Sequence, residues 1–247
     1  MPQQKSKAKY LTKRAWEFVS SLLFPPRCAF CGKIMNPNEK HGICEDCENS
    51  LPRPSGRLCM RCSGELRSEF SLPICHTCLS RKYVFKKNFV PLLYKGDVRE
   101  ALIKMKFNND PSLCTAFAYL IFRNIVEQDA LTEMDFVTFV PISSARMRER
   151  EYNQSELIAR ILAELLGKEC IPTLVRKDDS LRQSELSLAQ RYENAKRSFA
   201  PISDLKLGGN ALLVDDIYTT GATCAACSIL LIKMGCESVS IATASIR

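Results

Sequence analysis

Eight of the chain's 13 cysteines lie between residues 28 and 78, where they form four Cys-x-x-Cys pairs. They are Cys28, Cys31, Cys44, Cys47, Cys59, Cys62, Cys75 and Cys78. Two residues between cysteines make a tight turn that brings two sulfur atoms to one ion, and a second pair completes a tetrahedron of thiolates. Because four thiolates leave no open coordination position, this spacing predicts two structural zinc ions.

The four pairs form an internal repeat. Each half has twelve residues between its two pairs, and the second half repeats the first at an offset of 31 residues. We expect each ion to be held within one half, although interleaved pairing between the halves fits the same spacing. A disulfide framework would need an oxidising compartment, and iron–sulfur clusters use tighter and less symmetrical spacings. His41 and His76 lie nearby, and we expect them outside the ligand sets because the cysteines already complete both.

A second chemical pattern lies near the end of the chain, where residues 212–223 read LLVDDIYTTGAT. The apolar run runs into two carboxylates, Asp215 and Asp216, and then into a small hydroxyl-rich turn before a helix. Such a turn offers backbone N–H groups and hydroxyls to an anion, while the carboxylates suit vicinal hydroxyls or a magnesium ion. A diol beside a phosphate is a ribose 5-phosphate. The residues of the turn are Thr219, Thr220, Gly221, Ala222 and Thr223.

Alternating strands and helices are predicted from about residue 88 onward, and they must position this turn. Apolar runs predict strands over residues 89–94, 136–140, 211–214 and 238–244. Helical spacing predicts helices over residues 97–107, 157–166 and 223–234. This alternation predicts an α/β fold, an open parallel sheet flanked by helices, with the chemistry at the strand ends.

The 247-residue chain carries a formal net charge of +8, and the charge is unevenly distributed. Residues 1–90 contain 16 Lys/Arg against 7 Asp/Glu, whereas the remainder is nearly neutral. Two zinc ions on eight thiolates would lower the N-terminal charge from +9 to about +5. The excess favours a polyanionic partner such as nucleic acid, and a solvated lysine-rich surface explains it equally well.

No apolar run is long enough to span a bilayer, and we expect no signal peptide and a cytoplasmic protein. Residues 12–23 are predicted to form a short amphipathic helix. The expected organisation is a lead-in over 1–27, a double zinc-ribbon module over 28–80 and the α/β domain over 88–247. That domain contains no histidine, which excludes Ser–His and Cys–His mechanisms there.

The segment around Asp215 resembles the phosphoribosyl pyrophosphate (PRPP) loop of type I phosphoribosyltransferases. The resemblance implies that Asp215 and Asp216 hold the ribose hydroxyls and that residues 219–223 cradle the 5-phosphate. It also implies that magnesium and arginines neutralise the pyrophosphate. Residues 140–144 resemble the pyrophosphate loop, and residues 176–187 resemble the mobile loop that covers the site. The candidate arginines are Arg148, Arg150, Arg176 and Arg182.

The whole chain resembles the ComF family, which is associated with DNA uptake in natural transformation. The cysteine module, residues 94–96, 104–107, 140–142 and 148–154, and residues 183–186 with Arg191 and Asn194, carry the resemblance. The family usually has glycine where Glu151 stands, so the role of Arg150 depends on the backbone path there. The resemblance implies a PRPP-binding factor that binds single-stranded DNA, with other DNA-uptake or recombination proteins as partners. An active phosphoribosyltransferase with an unidentified nitrogenous acceptor is the alternative.

Four aromatic residues lie among lysines near the junction of the two parts. They are Tyr83, Phe85, Phe89 and Tyr94. Aromatic side chains beside cations can stack the bases of single-stranded DNA. The alternative interpretation is that these side chains pack the junction between the cysteine module and the α/β domain.

Overall fold

The computed structural model describes residues 25–36, 41–66, 71–81, 83–107, 110–177, 197–203 and 205–247. Its contacts divide the chain into two compact units, one ending at Ser50 and the other running from Leu51 to Arg247. Among the described residues, no helix is both long and apolar enough to cross a membrane. The predicted helix over residues 12–23 lies outside the described residues.

The two cysteine halves have the same local structure, one in each unit. In the first half, an antiparallel bridge joins Arg27 and Ile34, and helix α1 spans Glu45–Ser50. In the second half, a bridge joins Leu58 and Glu65, and helix α2 spans His76–Arg81. The internal repeat seen in the sequence is therefore a repeat of structure.

Six strands form one parallel sheet in the larger unit. They are β1 (Asn88–Phe89), β2 (Leu92–Leu93), β3 (Phe136–Phe139), β4 (Glu169–Cys170), β7 (Asn210–Tyr218) and β8 (Ser238–Ile246). The order is β1-β8-β7-β3-β4, and β2 pairs with β8 on the same edge as β1. The predicted α/β class with a parallel sheet is confirmed. Two further strands, β5 (Leu174–Arg176) and β6 (Phe199–Pro201), form a separate antiparallel pair.

Within the described residues, five helices accompany the sheet. They are α3 (Gly96–Phe107), α4 (Ser112–Glu127), α5 (Ser144–Arg150), α6 (Gln154–Leu166) and α7 (Ala222–Lys233). Helix α6 is capped at its N-terminus by Asn153, whose side chain accepts a hydrogen bond from the Ser155 amide. At its C-terminus it is capped by Gly167, which is in the left-handed conformation. It starts three residues before residue 157, where the apolar pattern predicted its start. The pattern missed the first turn because Gln154 and Ser155 are polar residues that are nevertheless buried.

The second cysteine half shares a hydrophobic core with the sheet. Cys59, Cys62 and Cys78 belong to the same buried cluster as residues of β7, β8 and α7. The Asn88 side-chain amide on β1 donates to the Cys62 carbonyl at 3.3 Å. The boundary expected between residues 80 and 88 thus separates residues that pack together in one unit.

Three of the four aromatic residues considered for base stacking are buried. Tyr83 is 4% exposed, and Phe85 and Phe89 are fully buried. The interpretation that they pack the junction is confirmed for Tyr83 and Phe85, which share a core cluster with Cys59, Cys62 and Cys78. Phe89 is outside that cluster, but its buried ring has no free face for a base. Tyr94 is half-buried.

Candidate functional site

The predicted site lies where strand β3 ends beside strand β7. Strand β7 pairs with β3 in parallel up to Val214, and the Val140 amide donates to the Val214 carbonyl at 2.9 Å. Residues 140–144, which follow β3, therefore lie beside Asp215 and Asp216. Strand β7 continues four residues past the predicted bound, so both carboxylates belong to the strand itself.

The two carboxylates have different partners. Asp215 Oδ1 accepts hydrogen bonds from the Asp216 amide at 2.9 Å and from Ser155 Oγ at 3.2 Å. Asp216 Oδ2 forms an ion pair with Lys106 Nζ of α3 at 2.6 Å. Burial, together with the nearby charge of Asp216, raises the pKa of Asp215 to about 7. The Asp215 carboxyl group therefore changes its protonation state near neutral pH.

The hydroxyl-rich turn leads directly from β7 into α7. Gly221 has a φ of 71°, and the Ala222 amide donates to Thr220 Oγ1 at 3.4 Å. A Cβ at position 221 would overlap the hydroxyl of Tyr218, so the turn requires glycine for space as well as for conformation. A cavity of about 350 Å³, the turn cavity, is lined by residues 217–224 with Asp215 and Arg247.

A second cavity shares Asp215 and part of the turn with the first, and it is lined by four basic side chains. We call this space of about 390 Å³ the arginine cleft; its basic residues are Lys106, Arg146, Arg150 and Arg176. Arg150 is 8% exposed, donates to Gln154 Oε1 at 3.3 Å and lies over the Phe107 ring at 5.3 Å. The chemistry at this end of the site is that of anion binding.

Two of these arginines carry unsatisfied donors. The Nε atoms of Arg150 and Arg176 are buried and have no hydrogen-bond partner within the described part of the chain. Burial lowers the pKa of both guanidinium groups, and the nearby charge of Arg146 lowers it further. A buried N–H donor without a partner costs free energy, and so does a buried cation next to a like charge. An anionic ligand in the cleft would relieve both costs.

The structure brings most of the sequence-predicted residues together and adds two. Arg150 lies in the arginine cleft, whereas Arg148 is exposed and does not line it. Arg146 lies one helical turn before Arg150, and this spacing was a signal that the sequence offered. Lys106 comes from a distant helix, and residues 104–107 carried the family resemblance without being assigned to the site. Arg182 and most of residues 176–187, like residues 183–186, Arg191 and Asn194, lie outside the described residues.

Glu151, which replaces the glycine usual in ComF proteins, keeps the backbone conformation that glycine favours. It ends helix α5 with a φ of 63° in the left-handed region, and its amide donates to the Met147 carbonyl. The chain therefore turns there without displacing Arg150, whose side chain remains buried in the arginine cleft.

The cysteine sulfur atoms form two sets whose geometry fits zinc. Within each set, all four atoms lie within 4.8 Å of one another. The Cys31–Cys44 sulfur distance is 3.7 Å, and the Cys62–Cys75 distance is 3.8 Å. Four sulfurs about 2.3 Å from one zinc ion at tetrahedral corners lie about 3.8 Å apart. Each set comes from one half, as expected, and His41 and His76 are exposed and outside both sets.

Comparison with known proteins gives a domain match for the cysteine module and relatives that cover most of the chain. Residues 19–79 match the model of the double zinc ribbon domain. The DNA utilization protein YhgH of Salmonella typhimurium is 29% identical over 209 residues, which cover 81% of this chain and 88% of that protein. The resemblance to the ComF family is confirmed. Competence protein ComFC of Bacillus subtilis is 26% identical, covering 77% of each chain, and Competence protein F of Haemophilus influenzae is 26% identical, covering 87% and 94%.

Solved structures similar to the chain include one of a phosphoribosyltransferase. A crystal structure of adenine phosphoribosyltransferase is 17% identical, with a TM-score of 0.36 over 57% of this chain and 81% of that one. At this TM-score the likeness supports no statement about the ligand.

Proposed function

We propose that the chain is a cytoplasmic, zinc-containing DNA-uptake protein that binds PRPP with magnesium and also binds single-stranded DNA. One observation carries the PRPP proposal: Asp215 lines both the turn cavity and the arginine cleft, and Asp216 lines the cleft beside it. PRPP has the matching order of groups, with a 5-phosphate, a ribose diol and a diphosphate.

Each part of the site suits one part of this ligand. The amides and hydroxyls of residues 219–223 would hold the 5-phosphate, and Asp215 and Asp216 would accept the ribose hydroxyls. The diphosphate would occupy the arginine cleft, where the unpaired Nε atoms of Arg150 and Arg176 need acceptors. Magnesium would arrive with the diphosphate and neutralise part of its charge.

The PRPP proposal is tested by calorimetric titration of PRPP with magnesium into the zinc-loaded chain. We expect saturable binding that is lost in the Asp215→Ala/Asp216→Ala variant. Arg148→Ala serves as a control for cationic charge: its side chain is exposed, so it should retain far more affinity than Arg150→Ala. Absence of binding to the folded wild-type chain would refute the proposal.

Similarity to proteins named for DNA utilization and competence supports a role in DNA uptake. The excess of Lys and Arg in residues 1–90 favours a nucleic-acid partner, although three of the four aromatic candidates are buried. We therefore expect binding of single strands to rest on phosphate contacts and to weaken steeply with salt. Fluorescence anisotropy of a labelled oligo(dT) at low and high salt tests this. Unchanged binding across that range, or none at low salt, would contradict it.

Phosphoribosyl transfer is the alternative, and the basic side chains of the arginine cleft favour it. Cations at that end of the site would stabilise the negative charge that develops on pyrophosphate as it leaves the ribose. Pyrophosphate release from PRPP across a panel of amines and nucleobases separates turnover from binding alone. Release that disappears in Asp215→Asn would establish an enzyme, whereas PRPP binding without release for any acceptor would favour a sensor.

A further inference from the structure

The second cysteine half contacts the anion-binding turn through one tyrosine. Arg61, which lies between Cys59 and Cys62, donates from its guanidinium to the carbonyl oxygen of Tyr83. The Tyr83 hydroxyl in turn donates to the backbone carbonyl of Thr220. All of these residues belong to the unit that begins at Leu51. Two hydrogen bonds thus connect a cysteine turn of the second site with the turn proposed to hold the phosphate.

An aromatic stack reinforces this connection. The rings of Tyr83 and Phe85 are stacked at 5.1 Å, and Phe85 contacts the edge of Tyr218 at 6.3 Å. The hydroxyl of Tyr218 lies against Gly221. All three rings are buried, and they share one core cluster with Cys59, Cys62 and Cys78. The turn therefore packs against side chains that share a hydrophobic core with the second cysteine site.

The hydrogen bond to Thr220 fixes the orientation of a peptide group. In a planar trans peptide, the carbonyl of one residue and the N–H of the next point in opposite directions. Holding the Thr220 carbonyl on Tyr83 therefore directs the Gly221 N–H away from Tyr83. A peptide free to rotate would lose this orientation, and with it one donor that an anion in the turn requires.

We propose that Tyr83 is a positioning residue through which the second cysteine site, but not the first, sets the affinity of the turn for a phosphate group. This inference rests on the proposed binding of PRPP and adds a regulatory dependence: loss of the metal from Cys59, Cys62, Cys75 and Cys78 weakens binding at the 5-phosphate end. The basic side chains of the arginine cleft, which would hold the diphosphate, come from α3, α5 and β5 and not from the turn.

The first test replaces Tyr83 with phenylalanine, which removes the hydroxyl and keeps the stacked ring. Tyr119→Phe is the matched control, because it removes the hydroxyl of a half-buried tyrosine on α4. That hydroxyl accepts a hydrogen bond from Arg123. We expect Tyr83→Phe to weaken binding of ribose 5-phosphate and PRPP about 3- to 10-fold, the effect of one hydrogen bond, with inorganic pyrophosphate unchanged. Equal weakening of pyrophosphate, or no change for ribose 5-phosphate, would overturn the positioning role.

The second test compares Cys59→Ser with Cys28→Ser, which occupy equivalent positions in the two halves. Zinc content should fall by one ion in each variant. Ribose 5-phosphate affinity should fall in Cys59→Ser and stay at the wild-type level in Cys28→Ser. Equal affinity in both variants, with one zinc ion lost from each, would overturn the coupling.

A ligand-free measurement separates this inference from the PRPP proposal. Amide hydrogen exchange of residues 219–224 should be several-fold faster in Tyr83→Phe than in wild type and unchanged in Tyr119→Phe. Unchanged exchange in Tyr83→Phe would overturn the coupling even if PRPP binds. If the exchange rises but wild type binds no phosphoribosyl ligand, the PRPP proposal fails and the structural coupling stands.

Discussion

Glu151 provides a direct test of the backbone path that places Arg150 in the arginine cleft. Its φ of 63° lies in the left-handed region, which costs a residue with a side chain about 1–2 kcal/mol. Glycine adopts this conformation freely but loses about 0.4–1 kcal/mol more through the entropy of the unfolded chain. The net effect of Glu151→Gly is therefore an increase of about 0.5–1 kcal/mol in the free energy of unfolding.

Glu149→Gly is the matched control for this substitution. Glu149 is also exposed, and its replacement removes the same negative charge from the same end of α5. Because position 149 lies within the helix, glycine there should lower stability by about 1 kcal/mol. The two substitutions thus share their chemistry and are predicted to have opposite signs.

Thermal and urea unfolding of the zinc-loaded proteins measure the difference. We expect the Tm to rise by about 1–4 °C in Glu151→Gly and to fall by about 2–4 °C in Glu149→Gly. Glu151→Gly should also keep the wild-type affinity for PRPP, since Arg150 is not displaced. A loss of stability in Glu151→Gly similar to that in Glu149→Gly would refute the left-handed conformation and the placement of Arg150 that depends on it.

The remaining predictions concern the carboxylate and the turn. Because the folded-state pKa of Asp215 is raised to about 7, its proton stabilises the fold at low pH, and that contribution is lost as pH rises from about 4 through 7. Asp215→Asn should therefore gain stability over wild type in this window, on the order of a few kcal/mol at pH 8, in parallel urea titrations; a pH-independent difference would contradict the shift. Gly221→Ala should lower stability by about 1–3 kcal/mol and abolish ribose 5-phosphate binding, because its Cβ overlaps Tyr218. Unaltered calorimetric binding by that variant would refute the geometry of the turn.

The sequence predicted those features that are encoded locally. Cysteine spacing identified both four-sulfur sets, because the turn chemistry of Cys-x-x-Cys depends on adjacent residues alone. The apolar run before Asp215 and the small residues after it likewise predicted a strand, a turn and a helix in the correct order. The fold class followed from the same alternation of strands and helices.

Features that depend on tertiary contacts were not predicted. Lys106 reaches Asp216 from a helix more than a hundred positions earlier in the chain, and only the packing of α3 brings them together. The sequence left two interpretations open for Tyr83 and Phe85, because their packing involves Tyr218, which is equally remote in sequence. The single predicted strand over residues 89–94 forms two short strands, separated by Val90 and Pro91, because proline cannot donate a ladder hydrogen bond.

A crystal structure of the zinc-loaded chain with PRPP and magnesium tests the central claim most directly. The prediction is that the 5-phosphate lies in the turn cavity against the amides of residues 219–223, and that the ribose hydroxyls donate hydrogen bonds to Asp215 and Asp216. It also places the diphosphate in the arginine cleft, within hydrogen-bonding distance of Arg150 or Arg176. A ligand bound in the reverse direction, or bound away from Asp215 and Asp216, would contradict it.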